Sequence, residues 1–464
     1  MNDTLSRRRF IGTTLGAAAA TLVGKPFFDA RPASASPSHV RRDVRGMTAS
    51  DPILVSYSKA IQAMRAMDAS QPLSWRYQAA IHGTTASATL PTWNKCEHDC
   101  SFFWPWHRMY LYWFERIIRK MADDPCWTLP YWNYTDPSAR FLPLPFRDPA
   151  SPLYTDQRDP DWNAGKAQFS DNDVDYSLAL TLPNYMDGAQ SILQSPHNNV
   201  HKLVGGVNGW MSYWNCAALD PIFFIHHSNI DRLWNIWLTK CPRASDPLDN
   251  SVWKEHQWTF FDEDGYKVEM TTCEVLRAQV QLGYSYEGEP AQPNQDCGQH
   301  RVPYTFSEDY LPVRIPSFEL RGGTFRVTID LDEAKQKTTN IVMNQDQTLF
   351  LVLDGVETDR APGTIWDVFV GVPRGAEPGA QRQEFVGTLA LFARGIGTSE
   401  HHAEPAHFAY PITQAVAAAI QSNHNRIDVA FVARGAIVDG KPTSPVVTSP
   451  VRVGQTRLML ETKR

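Results

Sequence analysis

Residues 219–237 read LDPIFFIHHSNIDRLWNIW, with two adjacent histidines, His226 and His227, opening an apolar, tryptophan-rich pattern at helical spacing. Such a stretch has to be buried, and an imidazole buried with it needs a partner, because an unpaired polar group in apolar surroundings costs free energy. Two partners are open to it. One is a backbone carbonyl, which makes the residue an ordinary core histidine; the other is a metal ion.

The other histidines decide between them. Residues 51–82 read as helical, with Asp51 as cap, Pro52 at the first helical position and an apolar stripe interrupted near Pro72. This segment ends at His82-Gly83. Residues 83–100 form a loop that carries Cys96-Glu97-His98 and Cys100, and FFWPWHR then places His107 at the start of another helix. Further on, Pro196 precedes His197-Asn198-Asn199-Val200-His201. Positions i and i+4 of a helix lie about 40° apart, so both imidazoles reach one ion. Gly205-Gly206 stops that helix, and residues 137–190, Pro- and Asp-rich, read as long irregular loops.

Composition limits the alternatives. At 464 residues the chain exceeds one ordinary core. A net charge of −6 over that length disfavours nucleic-acid and anionic-membrane partners. Seven cysteines are too few for a disulfide scaffold, and the odd number leaves at least one free, metal-bound, modified or paired between chains. At the N-terminus, Arg7-Arg8-Arg9-Phe10 precedes a short apolar run and Ala33-Ser34-Ala35. This resembles a bacterial twin-arginine export signal over residues 1–35, and implies a periplasmic or secreted protein.

Residues 288–305, with repeated Gly and Pro, read as a linker. Beyond it the period changes to two. Residues 318–320, 325–329, 349–353, 366–370, 385–389 and 427–432 read as strands, with one helix over 411–421. The expected protein is therefore a multi-domain α+β chain. A mainly α-helical bundle at 36–287 carries the chemistry, and an all-β sandwich or jelly-roll-like domain occupies 306–464.

Two sets of three histidines emerge: His82, His98 and His107, then His197, His201 and one of His226 or His227. Imidazole without carboxylate suits copper or zinc better than magnesium or calcium. The His197–His201 pair lacks the glutamate of a zinc-protease helix, since Asn198 stands in its place.

FFWPWHRMYLYWFE and LDPIFFIHHSNIDRLW resemble the two signatures of the tyrosinases and polyphenol oxidases, the type-3 copper proteins that include molluscan haemocyanins. The likeness covers residues 81–238. It implies two copper ions, the first on His82, His98 and His107, the second on His197, His201 and His227, with His226 turned away. O2 is then the cosubstrate and a small phenol the substrate. Cys96-x-His98 resembles the family pattern in which sulfur bonds covalently to the imidazole; a Cys96–Cys100 disulfide or a free buried thiol is the competing reading. Trp214 aligns with a gating phenylalanine of the plant enzymes. Asn198 matches a position linked to deprotonating phenols through a water whose usual second partner is a glutamate; here Gln194 stands nearby, able to orient water but not to act as a base. Oxidation of o-diphenols to o-quinones is thus expected first, and monophenol hydroxylation and o-aminophenol oxidation stay open. Residues 282–287 and 366–370 resemble plant polyphenol oxidase segments, which implies a C-terminal domain that shields the site. An O2 carrier and a zinc hydrolase are the alternative functions. Arg108 and Asp231 are expected to pair between the two histidine-bearing helices.

Overall fold

The computed structural model of the chain describes residues 39–86, 90–98, 100–290, 292, 297, 306–331, 347–372, 375–378, 384–391, 406–421 and 426–463. The export segment expected at 1–35 and most of the linker expected at 288–305 lie outside them.

The helical part is organised around two long helices, Phe103–Ala122 and Ile222–Lys240. The first tolerates Pro105 because the proline falls in its first turn, where backbone N–H groups have no partner inside the helix. It ends at Asp123 in the left-handed conformation, with Arg119 and Lys120 facing the negative end of the helix dipole. Ile222–Lys240 is buried almost all round, as a helix surrounded by others must be. Asp220 starts it: Oδ1 accepts from the Ile222 N–H at 3.1 Å, and the carboxylate is clamped by the equally buried Arg158 at 2.6 and 2.7 Å.

The single helix expected over 51–82 is two, Pro52–Arg65 and Trp75–His82. Asp51 caps the first as expected, and Ser74, accepting from the Tyr77 N–H, restarts the chain after the Pro72 break. Residues 137–190 are less irregular than expected. They hold several one-turn helices, then the helix Tyr185–Ile192, whose apolar stripe is too short to stand out from its Pro- and Asp-rich surroundings.

A buried ionic network joins the two long helices. Arg108 Nε donates to Asp231 Oδ1 at 2.5 Å, so the expected pair is present. Arg41 bonds Glu115 at 2.8 Å and reaches Asp231 at 3.3 Å, and the Tyr284 and Tyr286 hydroxyls donate to Asp231 at 2.6 and 2.5 Å. Burial alone would raise the Asp231 carboxyl, but Arg108, Arg41 and the two phenols hold it below the usual carboxylate range. Arg41 and the tyrosines meet because strand His39–Arg41 pairs in parallel with Tyr284–Tyr286.

The C-terminal part is a β-sandwich. One sheet runs Phe385–Leu389, Ile365–Val370, Arg426–Arg434, Thr324–Asp330; the other runs Ala406–Pro411, Gln347–Glu357, Val451–Lys463, Phe306–Ile315, with Phe318–Leu320 also on Val451–Lys463. All these pairings are antiparallel, and Leu351, Leu353, Trp366, Val368, Val429, Phe431 and Leu458 fill the space between the sheets. The expected strands all form, and the expected helix is Thr413–Gln421. The sandwich docks on residues 167–199. Strand Ala167–Gln168 extends the hairpin of Ile437–Val438 and Lys441–Pro442, and Arg434 is held between Asp173 of the helical part and Asp367 of the sandwich.

Candidate metal centre

Three of the histidines are aimed by a backbone carbonyl at their outer ring nitrogen. His82, at the end of Trp75–His82, has Nδ1 2.8 Å from the Trp214 carbonyl. His107, in the first turn of its helix, has Nδ1 2.7 Å from the Phe103 carbonyl. His201 has Nδ1 2.9 Å from the Met211 carbonyl. A carbonyl only accepts, so Nδ1 carries the proton and Nε2 the lone pair. His197 adds a side chain to its backbone partner: it bonds the Leu193 backbone, and its Nδ1 lies 2.9 Å from Oδ1 of Asn198.

The donor atoms gather in two groups, each within 4.8 Å: His82, Cys96, His98 and His107, and then His197, His201, His226 and His227. The groups face each other. Ring centroids of His107 and His227 are 4.3 Å apart and stacked, those of His98 and His197 6.1 Å apart, and those of His82 and His227 6.3 Å apart. Phe103 touches both groups, with its centroid 4.8 Å from both His107 and His197, and Phe223 lies 4.7 Å from His82 and 4.3 Å from His227.

Burial pushes every one of these imidazoles down, His98 to about 4 and His197 to about 3. They are neutral at pH 7, and their lone pairs are available to a cation. His201 and His227 place Nε2 atoms 3.2 Å apart, and His226 Nε2 is buried without a hydrogen-bond partner. Neither group contains a carboxylate. Facing sets of neutral imidazoles fit a pair of copper ions.

The structure brings all six expected ligands together. His226 is not turned away: it lies in the second group, and its Nδ1 is 3.0 Å from the Tyr134 hydroxyl. Adjacent helix positions diverge by about 100°, but here both rings bend back to the same space, 5.0 Å apart. Cys96 Sγ is 3.6 Å from His98 Nε2 and 3.4 Å from His107 Nε2, and Cys96 and Cys100 are not joined by a disulfide, so that alternative is not what forms. A disulfide joins Cys273 to Cys297. Trp214 is half-buried against Gly83, where a Cβ would come within 2.6 Å of its ring and 2.7 Å of its carbonyl. Glycine is needed at 83 for this close approach.

Gln194 departs from its expected role. Its Oε1 accepts from the Ala409 N–H at 2.9 Å and from Gln190 at 2.8 Å, and its Nε2 lies 3.3 Å from the Ala409 carbonyl. The amide is taken up by the edge strand of the sandwich. Asn198 also reaches the sandwich, donating to the Ala390 carbonyl at 3.2 Å. Sequence reasoning missed Tyr134, Asn199 and the carbonyl acceptors. Asn199, fully buried, bonds the Thr388 hydroxyl at 2.9 Å. No side-chain signal marks a carbonyl, and a lone Tyr or Asn is too common to stand out.

Comparison with known proteins agrees with this geometry. A family model described as the common central domain of tyrosinase matches residues 72–175 and 153–240, and a domain of unknown function matches 315–444. A tyrosinase of Hahella sp. (strain CCB-MM4) is 31% identical over 402 residues, covering 74% of this chain and 83% of that protein. The latent form of a chloroplastic polyphenol oxidase of Prunus armeniaca is 26% identical over 396 residues, covering 75% of this chain and 66% of that protein. This chain thus spans about two thirds of the length of the plant relatives it matches. The solved structure of a latent apple tyrosinase superposes with a TM-score of 0.65 at 22% identity, covering 92% of this chain and 98% of that one, and shares the fold. The chain belongs to the tyrosinase and polyphenol oxidase family of type-3 copper proteins.

Proposed function

We propose that this protein oxidises o-diphenols to o-quinones with O2, two diphenols each giving up two electrons and two protons while O2 becomes two waters. In this reading His82, His98 and His107 hold one copper ion and His197, His201 and His227 the other. The observation that carries it is the pair of facing, carboxylate-free imidazole groups. Bound copper supplies the one-electron redox changes and the O2 activation. The protein's own residues keep the imidazoles neutral and aimed, and Phe103 and Phe223 line the space between them against water. His227 is taken as the ligand from the family resemblance, and it stacks on His107 of the other group.

Cys96 lies close enough to His98 for the thioether of the family resemblance, and we include it in the proposal. Forming that C–S bond removes two hydrogens, which O2 takes up as hydrogen peroxide. Full-length protein is latent in this reading, because the sandwich is bonded to the segment that carries His197. The twin-arginine segment is read as an export signal for a protein folded around its metal.

Oxygen uptake on addition of a catechol, before and after limited proteolysis within residues 288–305, tests the function. Uptake that rises on cleavage is the expected result, and copper-loaded, cleaved protein that turns over no catechol refutes it. A second reading, reversible O2 carriage, draws on the fold alone: a haemocyanin of Rapana thomasiana superposes with a TM-score of 0.52 at 17% identity. The same assay separates the two.

A further inference from the structure

The second histidine group borrows part of its support from the other domain. His82, His107 and His201 each bond a carbonyl of the helical part itself: Trp214, Phe103 and Met211. His197 bonds the Leu193 backbone of the helical part and also the Asn198 side chain, and that same amide donates to the Ala390 carbonyl, 192 positions along the chain in the sandwich. One helical turn earlier, Gln194 pairs with both the N–H and the C=O of Ala409. Between Gln194 and His197 the backbone leaves helical conformation at Ser195 (φ −147°, ψ 124°), so this segment is not held by an unbroken helical ladder. Asn199 adds a two-way bond with Thr388, its amide donating at 2.9 Å and the Thr388 hydroxyl approaching its Oδ1 at 3.1 Å.

We propose that the docked β-sandwich is a positioning element for the second copper site: through Ala390–Asn198 it fixes the ring of His197, and through Ala409–Gln194 it fixes the turn that carries that ring. The sandwich therefore does two opposed things. It shields the metal pair, and it completes the support of one ligand. Releasing it opens the site and loosens copper at the second group, while the first group keeps its affinity. Asn198 and Gln194 are positioning residues in this scheme. The partners that orient a ligand's second nitrogen commonly set metal affinity by about 10–100-fold.

The inference rests on the copper reading of the two groups, and its test separates the two. Full-length metal-free protein is titrated anaerobically with Cu(I) against a chromophoric chelator, giving a separate affinity for each site. Wild type is expected to bind two ions. Binding of fewer than two by wild type refutes the copper reading and with it the premise. Asn198→Ala is expected to weaken one site by ~10–100-fold and leave the other unchanged. The deciding variants are Gln194→Leu, which deletes both bonds to Ala409, and Arg434→Met, which deletes the ion pair across the seam; neither alters a histidine or its bonding partner. Each is expected to weaken the same single site, in proportion to faster hydrogen exchange of the Ala409 amide. If Gln194→Leu binds two Cu(I) ions with wild-type affinities, the proposal is overturned. Equal weakening of both sites also overturns it, because a general loss of structure does not discriminate between them. Should Arg434→Met fail to fold, as judged by far-ultraviolet circular dichroism, Gln194→Leu alone decides.

Discussion

The two histidine groups use the same donor chemistry but are built differently. The first draws His82, His98 and His107 from a short reach of chain, and two of these rings are fixed by carbonyls of the helical part. The second draws on the Leu193–Asn198 turn, the helix Asn199–Gly205 and the central helix Ile222–Lys240, and a second domain stands behind one ring. A site assembled within one domain persists with that domain. A site whose support crosses a domain seam responds to the state of the seam. The difference gives a regulated enzyme a natural place to act.

The largest effect should come from the ligands themselves. His227→Gln is expected to lose one of two coppers and abolish catechol-dependent oxygen uptake, whereas His226→Gln should keep both coppers. Metal analysis and an oxygen electrode check this, and loss of copper in His226→Gln but not in His227→Gln would reverse the assignment. Next is a change that strikes both groups alike. Asp231→Ala strands Arg108 in the buried network between the two long helices, and breaking such a pair costs about 3–5 kcal/mol. Chemical denaturation should show that loss, with both copper affinities falling together.

A pH-dependent effect follows on the second group's side. Asp246 accepts from Trp234 of the His227 helix, and its other oxygen is buried without a partner. Burial pushes its carboxyl up to about 7. The folded state therefore favours the protonated acid. Its contribution is fully present below pH ~4, where the unfolded carboxyl is also protonated, and is lost as pH rises towards 7. Asp246→Asn keeps the acceptor for Trp234 and is expected to stabilise the protein by on the order of a few kcal/mol at pH 8, with little effect at pH 4. Thermal midpoints at the two pH values test it, and equal shifts at both would refute it. The smallest effect belongs to the first group. Gly83→Ala pushes a Cβ against the Trp214 ring and carbonyl, and overpacking of this kind costs about 1–3 kcal/mol. Because that carbonyl holds His82, the copper affinity of the first group alone should fall.

Much of this was legible in the chain. The period change after residue 305 announced the sandwich, because alternation along a strand is written directly into side-chain order. The histidines announced the metal centre, because imidazoles at helix ends and at i, i+4 have few other reasons to sit among tryptophans. The break near Pro72 was visible, but its consequence was not: Ser74 as a fresh cap depends on where Tyr77 finds its place. The amide of Gln194 offered no such signal, and its nearness to His197 pointed to water, whereas its partner is a backbone some 215 residues away.

The sequence by itself determined the candidate histidines, the two architectures and the aromatic setting of the histidines, since all three follow from residue type and local period. Only the tertiary structure decided which carbonyl aims each ring, that His226 stays with the group through Tyr134, and that Asn198 and Gln194 face the sandwich. These bonds use backbone groups that every residue carries, so no pattern of side chains along the chain can single them out.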